Sequence, residues 1–81
     1  MIKHNSKNHF RKRIIDENLL QYIQYVKMTD RNKSIVTEYV SGSSYIELGR
    51  KHFVTPSRVR DIIRDYIHHC NLYKNKTRIY K

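Results

Sequence analysis

No covalent staple is available to this chain. Cys70 is the single cysteine among 81 residues, so an intramolecular disulfide is excluded. A reducing cytosol is the expected setting, with Cys70 as a buried structural thiol. Glycine occurs twice and proline once, too few for a fold built from many β-turns. No apolar run approaches the roughly 18 residues of a membrane span. The opening "MIKHNSKNHFRKR" is basic but lacks the apolar block of a secretory signal. Acidic residues are few, and no Ser-His-Asp or Cys-His arrangement stands out, so neither an enzyme nor a cofactor is expected. The run "HHC", His68 to Cys70, consists of metal-ligand types, but adjacent helix positions point about 100° apart and cannot converge on one ion. His4 and His9 fall in the N-terminal arm, so no metal is expected.

What the chain has in excess is positive charge. Seventeen Lys and Arg stand against seven Asp and Glu, a formal +10. Such a field attracts polyanions and opposes folding by self-repulsion. Nucleic acid is the commonest partner of so basic a small domain, ahead of acidic membranes or acidic protein patches. The charge sits at the ends: residues 1–27 net +4, residues 28–54 only +1, and residues 55–81 +5. There is no internal repeat, and the length suits one small domain.

Periodicity points to an all-α fold, a small four-helix domain containing a helix-turn-helix. Residues 1–14 read as a basic arm, probed along phosphates or merely solvated. From there Ile15, Leu19, Ile23 and Val26 share one face, with Leu20 and Tyr22 beside it, which predicts a first helix from about Asp16 to Met28. Thr29 or Asp30 starts a second, about Arg31 to Val40, with Ile35, Val36, Tyr39 and Val40 on its apolar face and Gly42 past its end. Ser44 and Glu47 have capping-box spacing and open a short third helix ending near Phe53, with Tyr45, Leu48 and His52 on one face. Ile46 lies to the side of it and is a further candidate for burial. Thr55 caps the fourth, and Pro56 fits its first position, where a missing N–H leaves no bond unmade. Val59, Ile62, Ile63, Tyr66, Ile67 and Cys70 then recur at spacings of three and four. The helical domain spans 15–73, its helix-turn-helix about 44–71, and 74–81 is a basic tail.

A short helix, a tight turn and a long amphipathic helix let the second helix enter a major groove. The run "DRNKSIVTEYVSGSSYIELGRKHFVTPSRVRDIIRDYI" resembles the fourth region of bacterial sigma factors and the small phage regulators built on that domain. The resemblance extends from about Leu19 to Cys70. It is most specific in "ELGRKHFVTPSRVRDI", where Glu47, Leu48 and Gly49 match the first helix, Val54 and Thr55 the turn and cap, and Arg58, Val59 and Arg60 the start of the recognition helix. That sigma region reads the −35 promoter element, and the resemblance implies sequence-specific DNA binding by Ser57, Arg58, Arg60 and Asp61, supported by phosphate contacts from the first helix and the cap. The exposed face of the fourth helix adds Arg64 to these candidates for base contact. Three positions depart from the family pattern. His52 replaces an apolar residue, and Phe53 replaces a small or polar one, which leaves open an exchange of roles between the two. Pro56 removes one potential DNA contact. A region for melting or reading a −10 element does not precede the match, so a stand-alone regulator is expected and not a complete sigma factor. A phage or mobile element is a plausible origin.

Ser57, Arg60, Arg64 and His68 fall in line on the exposed side of the fourth helix. Arg60 and Arg64 are like charges one turn apart, which costs an isolated helix roughly 0.2–0.5 kcal/mol. Arg60 is the expected base reader, with Arg58 and Arg64 on base or phosphate. Asp61 either accepts from cytosine or pairs locally with Arg64 or Arg58. Ser43, Ser44, Arg50, Lys51, Thr55 and His68 are the expected phosphate contacts, and the closing "YKNKTRIYK", with Tyr73 and Tyr80, is a further basic segment. The expected partner is double-stranded DNA, in the cytoplasm of a bacterium or phage-infected host. The alternative is a protein-interaction module that binds RNA polymerase or inhibits a host nucleic-acid enzyme, docking through Ile2, Phe10 and Ile14. Whether the protein is a homodimer stays open.

Overall fold

The computed structural model describes residues 6–79, with the side chains of residues 10–75. The chain is all-α. Among the described residues there are four α-helices, α1 (Ser6–Asp16), α2 (Asp30–Val40), α3 (Tyr45–His52) and α4 (Pro56–Ile79), a 3-10 turn at Leu19–Tyr22, and no strand.

The second, third and fourth helices begin where their caps predict. The Thr29 hydroxyl accepts the Asn32 N–H at 3.2 Å and starts α2. Ser44 and Glu47 form a reciprocal capping box at the head of α3, with bonds of 2.9 and 3.1 Å. The Thr55 hydroxyl accepts the Arg58 N–H at 3.0 Å, and Pro56 is the first residue of α4. Gly42, at φ +127°, closes α2: its own N–H reaches the Tyr39 carbonyl and the Ser43 N–H reaches that of Glu38. That pair of bonds is the Schellman arrangement, which relieves the orphan carbonyls of a helix end.

The N-terminal region differs from the expectation. The helix predicted over Asp16 to Met28 is absent, and α1 occupies much of the segment read as an arm. Phe10 and Ile14, one turn apart, are its inward face: Ile14 is in the core and Phe10 packs against it. Ile15 points outward. Ion pairs Lys12–Asp16 (3.0 Å) and Arg13–Glu17 (3.2 Å) line its outer side. Asn18 then takes a left-handed conformation (φ 52°) and ends the helical path, which asparagine tolerates better than most residues. The Leu19 carbonyl is claimed by α4, accepting from the Tyr66 hydroxyl at 2.6 Å and the Cys70 thiol at 3.7 Å. The Ile23 N–H turns instead to Leu20, making a 3-10 bond. A long-range partner for one carbonyl thus outweighs the local helical pattern. Residues 1–5, including Ile2 and His4, and residues 80–81, including Tyr80, lie outside the described residues.

One core serves the whole molecule. Ile14, Leu19, Val26, Ile35, Val36, Tyr39, Tyr45, Leu48, Val59, Ile62, Ile63, Tyr66, Ile67 and Cys70 are all buried. The expected stripe on α4 is its inner face, and α4 packs against α1, the 3-10 turn, α2 and α3. It also runs past the predicted tail boundary at residue 74. Tyr73 still packs on the α1–α2 connection and Lys74 pairs with Glu17 at 3.5 Å, so another turn is anchored. Burial holds the Cys70 thiol above its ordinary pKa, consistent with the structural role expected of it.

Candidate nucleic-acid interface

The turn between α3 and α4 is short because two backbones touch. A Cβ on Gly49 would lie 2.6 Å from the Val54 carbonyl oxygen and 3.3 Å from the Pro56 nitrogen. Gly49 also accepts the Val54 N–H at 3.0 Å. The missing side chain therefore admits the turn itself, and through it sets where α4 begins. Phe53 closes α3 with φ 61° and ψ 43°, a left-handed conformation costing a bulky residue about 1–2 kcal/mol. Its ring is 93% exposed. His52 keeps the inward place, with its ring nitrogen 3.2 Å from Glu38 of α2. The exchange of roles between His52 and Phe53 does not occur, because Glu38 supplies a polar partner on the inner side.

From this turn α4 presents its outer face. Ser57, Arg60 and Arg64 line a groove of about 670 Å³ together with Phe10 of α1, Tyr45 and Ile46 of α3, and Pro56. Asp61 lies between the two arginines, 3.3 Å from Arg64 and 3.6 Å from Arg60. It is a local partner as expected for Arg64, with Arg60 in the place considered for Arg58. The carboxylate relieves repulsion between like charges one turn apart. Arg60 and Arg64 remain about half exposed, at 52% and 58% of their side chains. Guanidinium groups have five donors each, so most stay available to an incoming acceptor. Arg58 is exposed but outside the groove lining, and His68 is exposed one turn beyond Arg64.

The six expected phosphate contacts are dispersed. Ser44 and Thr55 hydroxyls cap the N-termini of α3 and α4. Ser43 is half-buried, and its carbonyl accepts from Arg11 at 2.9 Å. Arg50 is exposed. Lys51 leans toward α2 and pairs with Glu38 at 3.2 Å. The hydrogen bond from His52, and then Lys51, hold the Glu38 carboxyl below its ordinary 4.5. The stability this tie contributes is therefore present above that ordinary value and is lost only as pH falls through the lowered one.

Two sets of residues escaped the sequence reading. Phe10, Tyr45 and Ile46 wall the groove, and nothing in their local spacing signals a meeting of α1 and α3 beside α4. Arg11, read as part of a phosphate-tracking arm, is an internal strut. Its Nε donates to the Tyr39 carbonyl at 2.8 Å, its Nη2 to Ser43, and its guanidinium lies 4.3 Å from the Tyr39 ring centroid. A cation at the C-terminal end of α2 is favourably placed against the helix dipole. Of the residues considered for docking, Ile14 is buried in the core, and Phe10 packs against the core while lining the groove.

Among the described residues no group of three or more His, Cys, Asp or Glu is placed to hold a metal ion, and no helix is long and apolar enough to cross a membrane. A scan of protein-family models and searches of curated proteins and solved structures each found no match to this chain.

Proposed function

We propose that this protein is a sequence-specific DNA-binding transcription regulator that places the first turns of α4 in the major groove of double-stranded DNA. The observation that carries this reading is the outer face of α4. Ser57, Arg60 and Arg64 stand side by side there at the mouth of a groove, just past a capped and sharply turned helix start. Arg60 is the main base reader, donating two bonds to guanine O6 and N7, a contact worth about 1–3 kcal/mol of discrimination. Arg64, Arg58 and Ser57 contact the neighbouring bases or phosphates. Asp61 holds Arg60 and Arg64 in register and can accept from a cytosine amino group. Ser43, Ser44, Arg50, Lys51, Thr55 and His68 serve the backbone, Lys51 after exchanging Glu38 for phosphate. The resemblance to sigma region four agrees with this use of α3 and α4, and the setting is a bacterial or phage-infected cytoplasm.

Selection of bound duplexes from a random pool tests the reading. A recurring motif containing guanine is expected, and a palindromic motif would also report a homodimer. Recovery of no motif would contradict it. A second reading, a module that docks on RNA polymerase or another host protein, is favoured by Phe53, an almost fully exposed aromatic in a strained backbone. It predicts that a defined protein is retained from nuclease-treated bacterial lysate and is lost with Phe53→Ala.

A further inference from the structure

The far end of α4 holds a second exposed surface of different chemistry. Tyr73 meets two tyrosines of the α1–α2 connection. Tyr22 approaches it edge-on, with ring centroids 5.2 Å apart, and Tyr25 lies parallel to it, at 5.7 Å and 2°. Tyr22 is half-buried against the core. Tyr25 is 57% exposed, and Leu72 beside it is 53% exposed. Tyr25, Leu72 and Tyr73, with Val26, Lys27 and His69, line a hollow of about 290 Å³. No acidic residue is among that lining. Glu17, which approaches the same end of α4 through Lys74, is already shared with Arg13.

Packing explains Tyr22 and Tyr73 but leaves Tyr25 unexplained. More than half of Tyr25 stays exposed, yet its plane lies parallel to that of Tyr73. An aligned, exposed aromatic face next to a cation, here Lys27, is the arrangement on which an unpaired base stacks. A duplex cannot use it, because its bases stack on one another and show only their edges in the grooves. A second copy of this chain is opposed by the repulsion between two molecules of formal charge +10.

We infer that Tyr25, aligned by Tyr73 and flanked by Lys27 and His69, is a stacking site for a base of single-stranded nucleic acid. Lys27 and His69 meet the phosphates on either side of the stacked base. The site lies roughly 20 Å along α4 from Arg60, at about 1.5 Å per residue. It is therefore separate from the duplex-reading face and does not depend on that reading. One molecule can hold a duplex at the first turns of α4 and an adjoining unpaired strand at the last.

The test compares a short labelled oligo(dT) with an abasic oligonucleotide of the same length, which has the same phosphates and no bases. Fluorescence anisotropy is expected to show the oligo(dT) bound about tenfold more tightly. Tyr25→Ala should reduce the two to equal affinity, and Tyr25→Phe, which keeps the ring, should preserve the difference. Arg60→Ala should leave the difference intact. Circular dichroism matching that of wild type shows that each variant is folded. Equal binding of the two oligonucleotides by wild type, or a Tyr25→Ala variant that weakens both alike, overturns the inference.

Discussion

The two halves of this domain are held together by different means. In the α3–turn–α4 unit the decisive bonds are local: Ser44 with Glu47, Thr55 with Arg58, and Gly49 with Val54 all lie within five residues of each other. In the α1 and 3-10 region they are long-range. Arg11 reaches Tyr39 and Ser43, and Tyr66 and Cys70 reach Leu19. A locally specified unit keeps its geometry whatever surrounds it, which suits a surface that must meet a ligand in fixed register. A region specified at long range is free to follow the core, and here it does so by becoming a wall of the groove beside α4.

Three substitutions probe this contrast, in order of expected effect. Ile14→Ala removes the main apolar anchor of α1 and should destabilise the protein by about 2–5 kcal/mol in urea unfolding. Amide exchange should quicken most in α1 and the 3-10 turn. If α3 amides quicken equally, the two halves are one cooperative unit and the contrast fails. Gly49→Ala forces a methyl group against the Val54 carbonyl and should cost about 1–3 kcal/mol, measured by the same unfolding. A neutral result would mean that the turn yields easily and does not fix the start of α4. Phe53→Gly relieves the left-handed backbone while removing a ring that packs on nothing, and should stabilise by about 1 kcal/mol. A loss of stability there would show that the ring has a structural contact after all.

The same contrast explains what the sequence makes legible. Ser44-x-x-Glu47, Thr55-Pro56 and Gly42 are short signals whose physics is complete within one turn of chain, and each element they predict is present. The apolar stripe on α4 is long enough to be unambiguous. The segment from Ile15 to Val26 carries an equally regular helical pattern, but the Leu19 carbonyl follows α4, a partner nearly fifty positions away. Charge was similarly misleading at Arg11: a basic side chain near a terminus reads as solvated until the α2 carbonyls it satisfies are placed beside it. At the groove, Ser57, Arg60 and Arg64 were legible as a stripe on one helix. The apolar walls Phe10, Tyr45 and Ile46 were not, since they come from two other elements with no shared spacing.

The two ends of α4 also differ in the chemistry they expose. Near its start two arginines and a carboxylate face outward; near its end a pair of parallel tyrosines does. For the first of these, the most direct measurement is a ratio of affinities. A duplex bearing the selected motif and a scrambled duplex of equal length are titrated against wild type and Arg60→Ala at one fixed salt concentration, since phosphate contacts depend steeply on salt. Loss of the bidentate guanine contact should lower the preference for the motif by about tenfold while leaving affinity for the scrambled duplex nearly unchanged. If Arg60→Ala weakens both duplexes by the same factor, Arg60 is only a phosphate-binding charge and α4 does not read sequence through it.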